Sequence, residues 1–179
     1  MEKNFIIAGF GGQGVLLAGT ILANAFMIEG KNVTWYPCYG AEMRGGTVNC
    51  EIVVSDEEVS SVHKNDADVV LALNQLSFDK FLPKIKKGGI MIANSSLVEE
   101  TRPRNDIQYE FAPITKLATD LEEVKVTNVV SLGLLARVCG ISIPALKAAL
   151  DKVLPSHRKN LLPLNEKALD LGYNSVVKC

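Results

Sequence analysis

The most constraining feature of the chain is Gly9-Phe10-Gly11-Gly12-Gln13-Gly14, set between an apolar run at residues 4–8 and apolar positions Val15, Ala18, Leu22, Ala25 and Phe26 at helical spacing. The order predicts strand, tight turn, helix, because glycine permits backbone angles and close approaches that a Cβ forbids. Gly9, Gly11 and Gly14 satisfy G-x-G-x-x-G in the context that gives this pattern meaning, and Gly12 leaves the loop barer still. The free N–H groups at such a helix start attract an anion such as a phosphate or carboxylate. Two readings stand at this point. Either the loop contacts an anionic ligand or cofactor, or its glycines only let helix and strand pack closely or admit a partner protein. Gln13 either donates a hydrogen bond from the loop or caps the helix start.

The remainder continues the alternation. Gly30 closes the first helix, residues 32–36 read as a strand, and residues 37–46 form a loop. Val48, Cys50, Ile52 and Val54 alternate with polar residues, which predicts a strand covered mainly on one face. Residues 69–73 and 90–93 are short apolar runs suited to buried parallel strands, residues 107–112 add another, and 76–85 read as a helix followed by a Gly88-Gly89 turn. Helical patterns fill 115–123, 129–139, 142–154 and 161–171, the third opening with Ser142 as N-cap and Pro144 in its first turn. The expected fold is an α/β, Rossmann-like, open and mostly parallel sheet flanked by helices, with a helical C-terminal region, in one domain over residues 1–179. The stretch 128–139 is apolar almost all round and is either core or interface, with Asn128 as its N-cap or aimed at the loops.

Charge narrows the function classes. Nineteen Lys and Arg against twenty Asp and Glu provide no basic field for nucleic acid or anionic membrane. No apolar stretch is long enough to span a membrane and no leader is evident, so the expectation is a cytoplasmic protein. Cys38, Cys50, Cys139 and Cys179 include no Cys-x-x-Cys, and with His63 and His157 isolated from one another, no metal site or catalytic residue is expected. Dinucleotide binding would require an acidic residue near the end of the second strand, yet that position holds Thr34, Trp35 and Tyr36, and the first acid beyond is Glu42.

A second loop, Tyr39-Gly40-Ala41-Glu42-Met43-Arg44-Gly45-Gly46, combines a planar five-donor guanidinium with bare backbone. Arg44 is either a ligand or backbone contact or a surface ion pair, and Glu42 either its partner, a contact to another chain or a solvated carboxylate. Read together, the two loops, Ser55, Ala67-Asp68 before an apolar strand, and Asn128 ahead of Leu132-Gly133 resemble the gamma subunit of 2-oxoacid:ferredoxin oxidoreductases along essentially the whole chain. The resemblance is greatest to the 2-oxoglutarate type, with pyruvate, branched-chain 2-oxoacid and indolepyruvate forms as close relatives.

That resemblance implies oxidative decarboxylation of a 2-oxoacid with coenzyme A, giving acyl-CoA, carbon dioxide and two electrons for ferredoxin. Thiamine diphosphate would be held by alpha and beta subunits, with iron–sulfur clusters carrying the electrons out, and the partners would be alpha and beta subunits, with a delta subunit where one exists. This chain has no Gly-Asp-Gly motif and no cluster-type cysteine spacing, so an accessory role without independent turnover is expected. Gly9, Gly11, Gly12, Gln13, Gly14, Arg44, Gly45 and Gly46 would form its cofactor-facing edge, with coenzyme A the natural anionic candidate. A homodimer in isolation is a further expectation. The competing classes are an independent nucleotide-dependent oxidoreductase and a non-catalytic assembly scaffold.

Overall fold

The computed structural model describes residues 2–39, 47–59, 61, 64–121 and 124–175. Six strands, β1 (Glu2–Phe10), β2 (Asn32–Tyr39), β3 (Thr47–Ser55), β4 (Ala67–Ala72), β5 (Ile85–Asn94) and β6 (Gln108–Ala112), form one sheet in the order β2-β3-β1-β4-β5-β6. The pairs β1/β4, β4/β5 and β5/β6 are parallel, whereas β3 runs antiparallel to both β1 and β2. The sheet is therefore mixed: five strands share one direction and β3 opposes them. The expected strand–helix–strand start is present, but β3 is inserted between β1 and β2.

Apolar side chains of β1 alternate between two cores. Phe5 and Ile7 enter the larger one, beneath the helices α1 (Val15–Ile28), α4 (Thr127–Cys139), α5 (Ile143–Val153) and α6 (Leu162–Asn174). Ile6 and Ala8 face the smaller one, with Phe78 and Phe81 of α2 (Gln75–Phe81). A strand covered on both faces has to be apolar throughout, as residues 4–8 largely are. The alternation in β3 is misleading by the same standard. Asn49 and Glu51 are as buried as their apolar neighbours, so β3 is covered on both faces, not one.

Local chemistry sets most helix ends. Gly30, at φ +77°, ends α1 with Gly30 N–H donating to Met27 O and Lys31 N–H to Phe26 O, a Schellman closure that needs the left-handed conformation. Ser142 caps α5 by accepting from Ala145 N–H. The helix expected over 76–85 stops at Phe81; residues 82–84 form a 3-10 turn holding Pro83, and Gly88 bends β5 from within. The remaining helix, α3 (Ile114–Asp120), links β6 to α4. The apolar stretch over 128–139 is core: Val129, Val130, Leu132, Leu134 and Leu135 are all buried, and α4 packs against α6 where Gly133 and Gly172 face each other. No helix among the described residues is long and apolar enough to cross a membrane.

Candidate functional site

The carboxyl ends of β1, β4 and β5 form one edge of the sheet, the edge at which open α/β folds place ligands. The glycine loop leaves β1 there. Gly12 and Gly14 take φ +98° and +74°, and Gly14 is itself the N-cap of α1. A Cβ at Gly14 would lie 2.7 Å from Asn128 Nδ2, and one at Gly9 would lie 2.6 Å from Gln13 Oε1 and 3.2 Å from Leu73 Cβ. The glycines of the loop therefore serve different needs. Gly9 and Gly14 are small because neighbouring side chains close over them, whereas Gly12 stands in open space.

Gln13 neither caps α1 nor reaches outward. Its Oε1 accepts from Phe10 N–H at 2.6 Å and Asn74 Nδ2 at 3.2 Å, while its Nε2 donates to Leu73 O at 3.3 Å. In the parallel β1/β4 ladder Leu73 N–H donates to Ala8 O, so the next bond in register would join Phe10 N–H to Leu73 O. The Gln13 amide is inserted at that step, satisfying both backbone groups and holding the strand ends apart. The crevice at this edge is thus opened by a side chain that imitates a peptide group.

A row of buried amides extends the arrangement. Asn74, two residues past the end of β4, accepts from Ser77 N–H and so caps α2. Asn94, which ends β5, donates to Leu73 O and to Thr115 Oγ1 and accepts from Thr115 N–H. Asn128 lies within α4 and donates to Gly14 O at 3.3 Å, so it joins the start of α4 to the start of α1 and is not the N-cap. The sequence reading missed Asn74 and Asn94. Their signal was an amide placed immediately after each apolar strand run.

Two long helices therefore begin side by side at the loop. Neither α1 nor α4 has a side-chain cap or an acidic residue in its first turn. Among the described residues no side chain caps α1, and its positive end suits an external anion or water; the 3-10 turn Val124–Val126 leads directly into α4. On one side of the loop a cavity of about 240 Å3 is bounded by Gly12, Gln13, Leu97, Thr115, Lys125 and Thr127. On the other, an apolar groove of about 720 Å3 runs past Phe10, Gly11, Leu16, Leu17 and Val48. The second expected loop starts and ends at the same edge, since Phe10 pairs with Thr47 and Tyr39 with Val48. Arg44, Gly45 and Gly46, together with Glu42, lie outside the described residues.

The described cysteines offer no nucleophile here. Burial pushes the Cys50 thiol up to about 12, against a smaller lowering by Trp35, and burial likewise pushes Cys139 up to about 11. Both remain protonated thiols at neutral pH. His157 is exposed, and His63 lies outside the described residues. The dinucleotide reading fails on geometry as well as on the missing acid. With β3 between β1 and β2, the end of the second strand is not beside the glycine loop as ribose binding requires.

Comparison with known proteins agrees with this architecture. The chain is 36% identical over 174 residues to the 2-oxoglutarate synthase subunit KorC of Methanocaldococcus jannaschii, covering 93% of this chain and 92% of that protein. It is 33% identical over 173 residues to the ketoisovalerate oxidoreductase subunit VorA of Methanothermobacter marburgensis, covering 96% of this chain but spanning only 36% of VorA. The crystal structure of the keto/oxoacid ferredoxin oxidoreductase gamma subunit from Geobacter sulfurreducens superposes with a TM-score of 0.86 at 31% identity, covering 98% of this chain and 96% of that one. Residues 4–175 match the pyruvate ferredoxin/flavodoxin oxidoreductase family as a whole, and the chain belongs to that family.

Proposed function

We propose that the chain is the gamma subunit of a 2-oxoacid:ferredoxin oxidoreductase, with 2-oxoglutarate the favoured substrate. In the reaction the bond between the oxo carbon and the carboxylate breaks, carbon dioxide leaves, the acyl group forms a thioester with coenzyme A, and two electrons pass to ferredoxin. Thiamine diphosphate and iron–sulfur clusters, held by alpha and beta subunits, supply that chemistry. The gamma chain contributes binding: its glycine edge faces the catalytic subunits and takes up the phosphate groups of coenzyme A.

The observation that carries this reading is that α1 starts, with neither a side-chain cap nor an acid in its first turn, on a loop stripped of side chains beside the start of α4. Phosphate oxygens suit such an edge because backbone N–H groups and aligned peptide dipoles stabilise negative charge without a dedicated cation. The apolar groove beside the loop accommodates the less polar parts of the same ligand. Arg44 and Gly45-Gly46 connect β2 to β3 in sequence, and the flanking residues Tyr39 and Thr47 pair at this same edge.

The test is reconstitution of the complex with Arg44→Ala in the gamma chain, assayed with several 2-oxoacids and a low-potential electron acceptor. The expected result is a raised KM for coenzyme A with the KM for the 2-oxoacid unchanged. Unaltered coenzyme A affinity together with unaltered assembly would remove this edge from the reaction.

A further inference from the structure

The fold leaves one helix unaccounted for. α1 contains no charged residue in its 14 positions. A helix this apolar belongs in a core, where most of α4 lies, but α1 is only partly covered. Leu17 is 40% exposed, Met27 54% and Ile28 46%. At 100° per residue these fall with Leu16, Thr20 and Asn24 on one stripe about a third of the circumference wide. The two polar members do not serve solvent: Thr20 Oγ1 donates to Leu16 O and Asn24 Nδ2 donates to Thr20 O, both within the helix itself. Trp35 of β2, 39% exposed, flanks the stripe, its Nε1 lying 2.7 Å from where a Cβ on Gly19 would stand.

We propose that this stripe is where a catalytic subunit of the oxidoreductase docks, through an apolar, uncharged face that continues onto the rim of the glycine loop. The proposal rests on the gamma-subunit reading and names the surface that reading lacked. Two observations select this occupant. VorA carries the same fold as 36% of a longer polypeptide, so there the neighbours of this unit are attached covalently. KorC, 92% of which is matched by this unit, has no room for such neighbours in the same polypeptide, so in KorC any such neighbours are held by surface alone. Area gives the second argument. A 14-residue helix is about 21 Å long, so a stripe about 10 Å wide offers only about 200 Å2, well short of the roughly 800 Å2 per partner of a stable interface. Contact between two copies stripe to stripe is therefore too small, and the covering partner extends further. The stripe runs continuously into the groove past Leu16, Leu17 and Val48, which carries the contact to the candidate site. One partner can thus cover the uncharged helix and close the anion-binding edge together.

The experiment uses the full chain co-expressed with the alpha and beta subunits and purified through a tag on the gamma chain. Leu17→Glu/Met27→Glu places two charges on the stripe at positions already open to water, and Leu161→Glu, 39% exposed in the 3-10 segment Ser156–Leu161, is the control. Circular dichroism and thermal melting establish that each variant folds. The expected result is at least a ten-fold loss of co-purified catalytic subunits for the stripe variant and none for the control. Wild-type recovery by the folded stripe variant overturns the proposal. So does a wild-type dimer that the stripe substitutions make monomeric while assembly persists, because the stripe is then a contact between copies. Failure of the wild-type chain itself to assemble refutes the gamma-subunit reading, and the docking proposal falls with it.

Discussion

Replacing Gln13 by alanine removes three hydrogen bonds at once, and the structure indicates what each is worth. Leu73 O keeps a donor in Asn94 Nδ2, so losing Gln13 Nε2 costs it little. Phe10 N–H, bonded at 2.6 Å, and Asn74 Nδ2, at 3.2 Å, lose acceptors at a half-buried edge. At about 1 kcal/mol for each neutral bond, the total is about 2 kcal/mol. For a chain of this size that lowers Tm by roughly 4–8 °C. If the loss is local, the same energy speeds amide hydrogen exchange at Phe10 about 30-fold, because each 1.4 kcal/mol is a factor of ten. Residue-resolved exchange distinguishes the inserted amide from a helix cap. A cap would protect Val15, Leu16 and Leu17, whereas the observed geometry protects Phe10. Unchanged stability, or faster exchange confined to residues 15–17, would refute the reasoning.

Gly133→Ala should destabilise the fold although alanine is ordinarily the better helix former by about 1 kcal/mol. The new Cβ would meet Leu169 O, lie 2.7 Å from Tyr173 N and 3.0 Å from Gly172 Cα, so α4 and α6 must separate. Overpacking of this kind costs about 1–3 kcal/mol, occasionally more; a urea midpoint above wild type would show that the helices yield freely. The raised thiols of Cys50 and Cys139 fix the sign of a pH effect. Stability they contribute is fully present below their ordinary value of 9.0 and is lost as pH rises toward about 11 for Cys139 and about 12 for Cys50. Each weakens the fold by roughly 1.4 kcal/mol per pH unit across its own interval. Urea unfolding from pH 8 to 10 should show a shallower decline in Cys139→Ala than in the wild-type chain; equal slopes would contradict the assignment.

Local chemistry made the strand–turn–helix start, the Gly30 closure and the Ser142 cap readable from the sequence, because each depends on residues within a few positions of one another. The same holds for the bare turn at Gly12, whose positive φ is set within the loop itself. The resemblance carried by the two loops identified the family, although Arg44, Gly45 and Gly46 lie outside the described residues.

What required the tertiary structure was every property set by partners distant in the chain. Glu51 and Asn49 mark β3 as half-solvated by pattern, yet the sheet buries them. Asn128 is a natural cap by position, but its partner is Gly14, 114 residues away. Gln13 acts across 60 residues, on Leu73. Both α1 and α4 are strongly apolar in composition, and only packing decided how far each is covered: α6 covers α4, while α1 keeps a face open. Periodicity records which side chains avoid water, whereas the fold determines which of them the chain itself can cover and which it leaves for another.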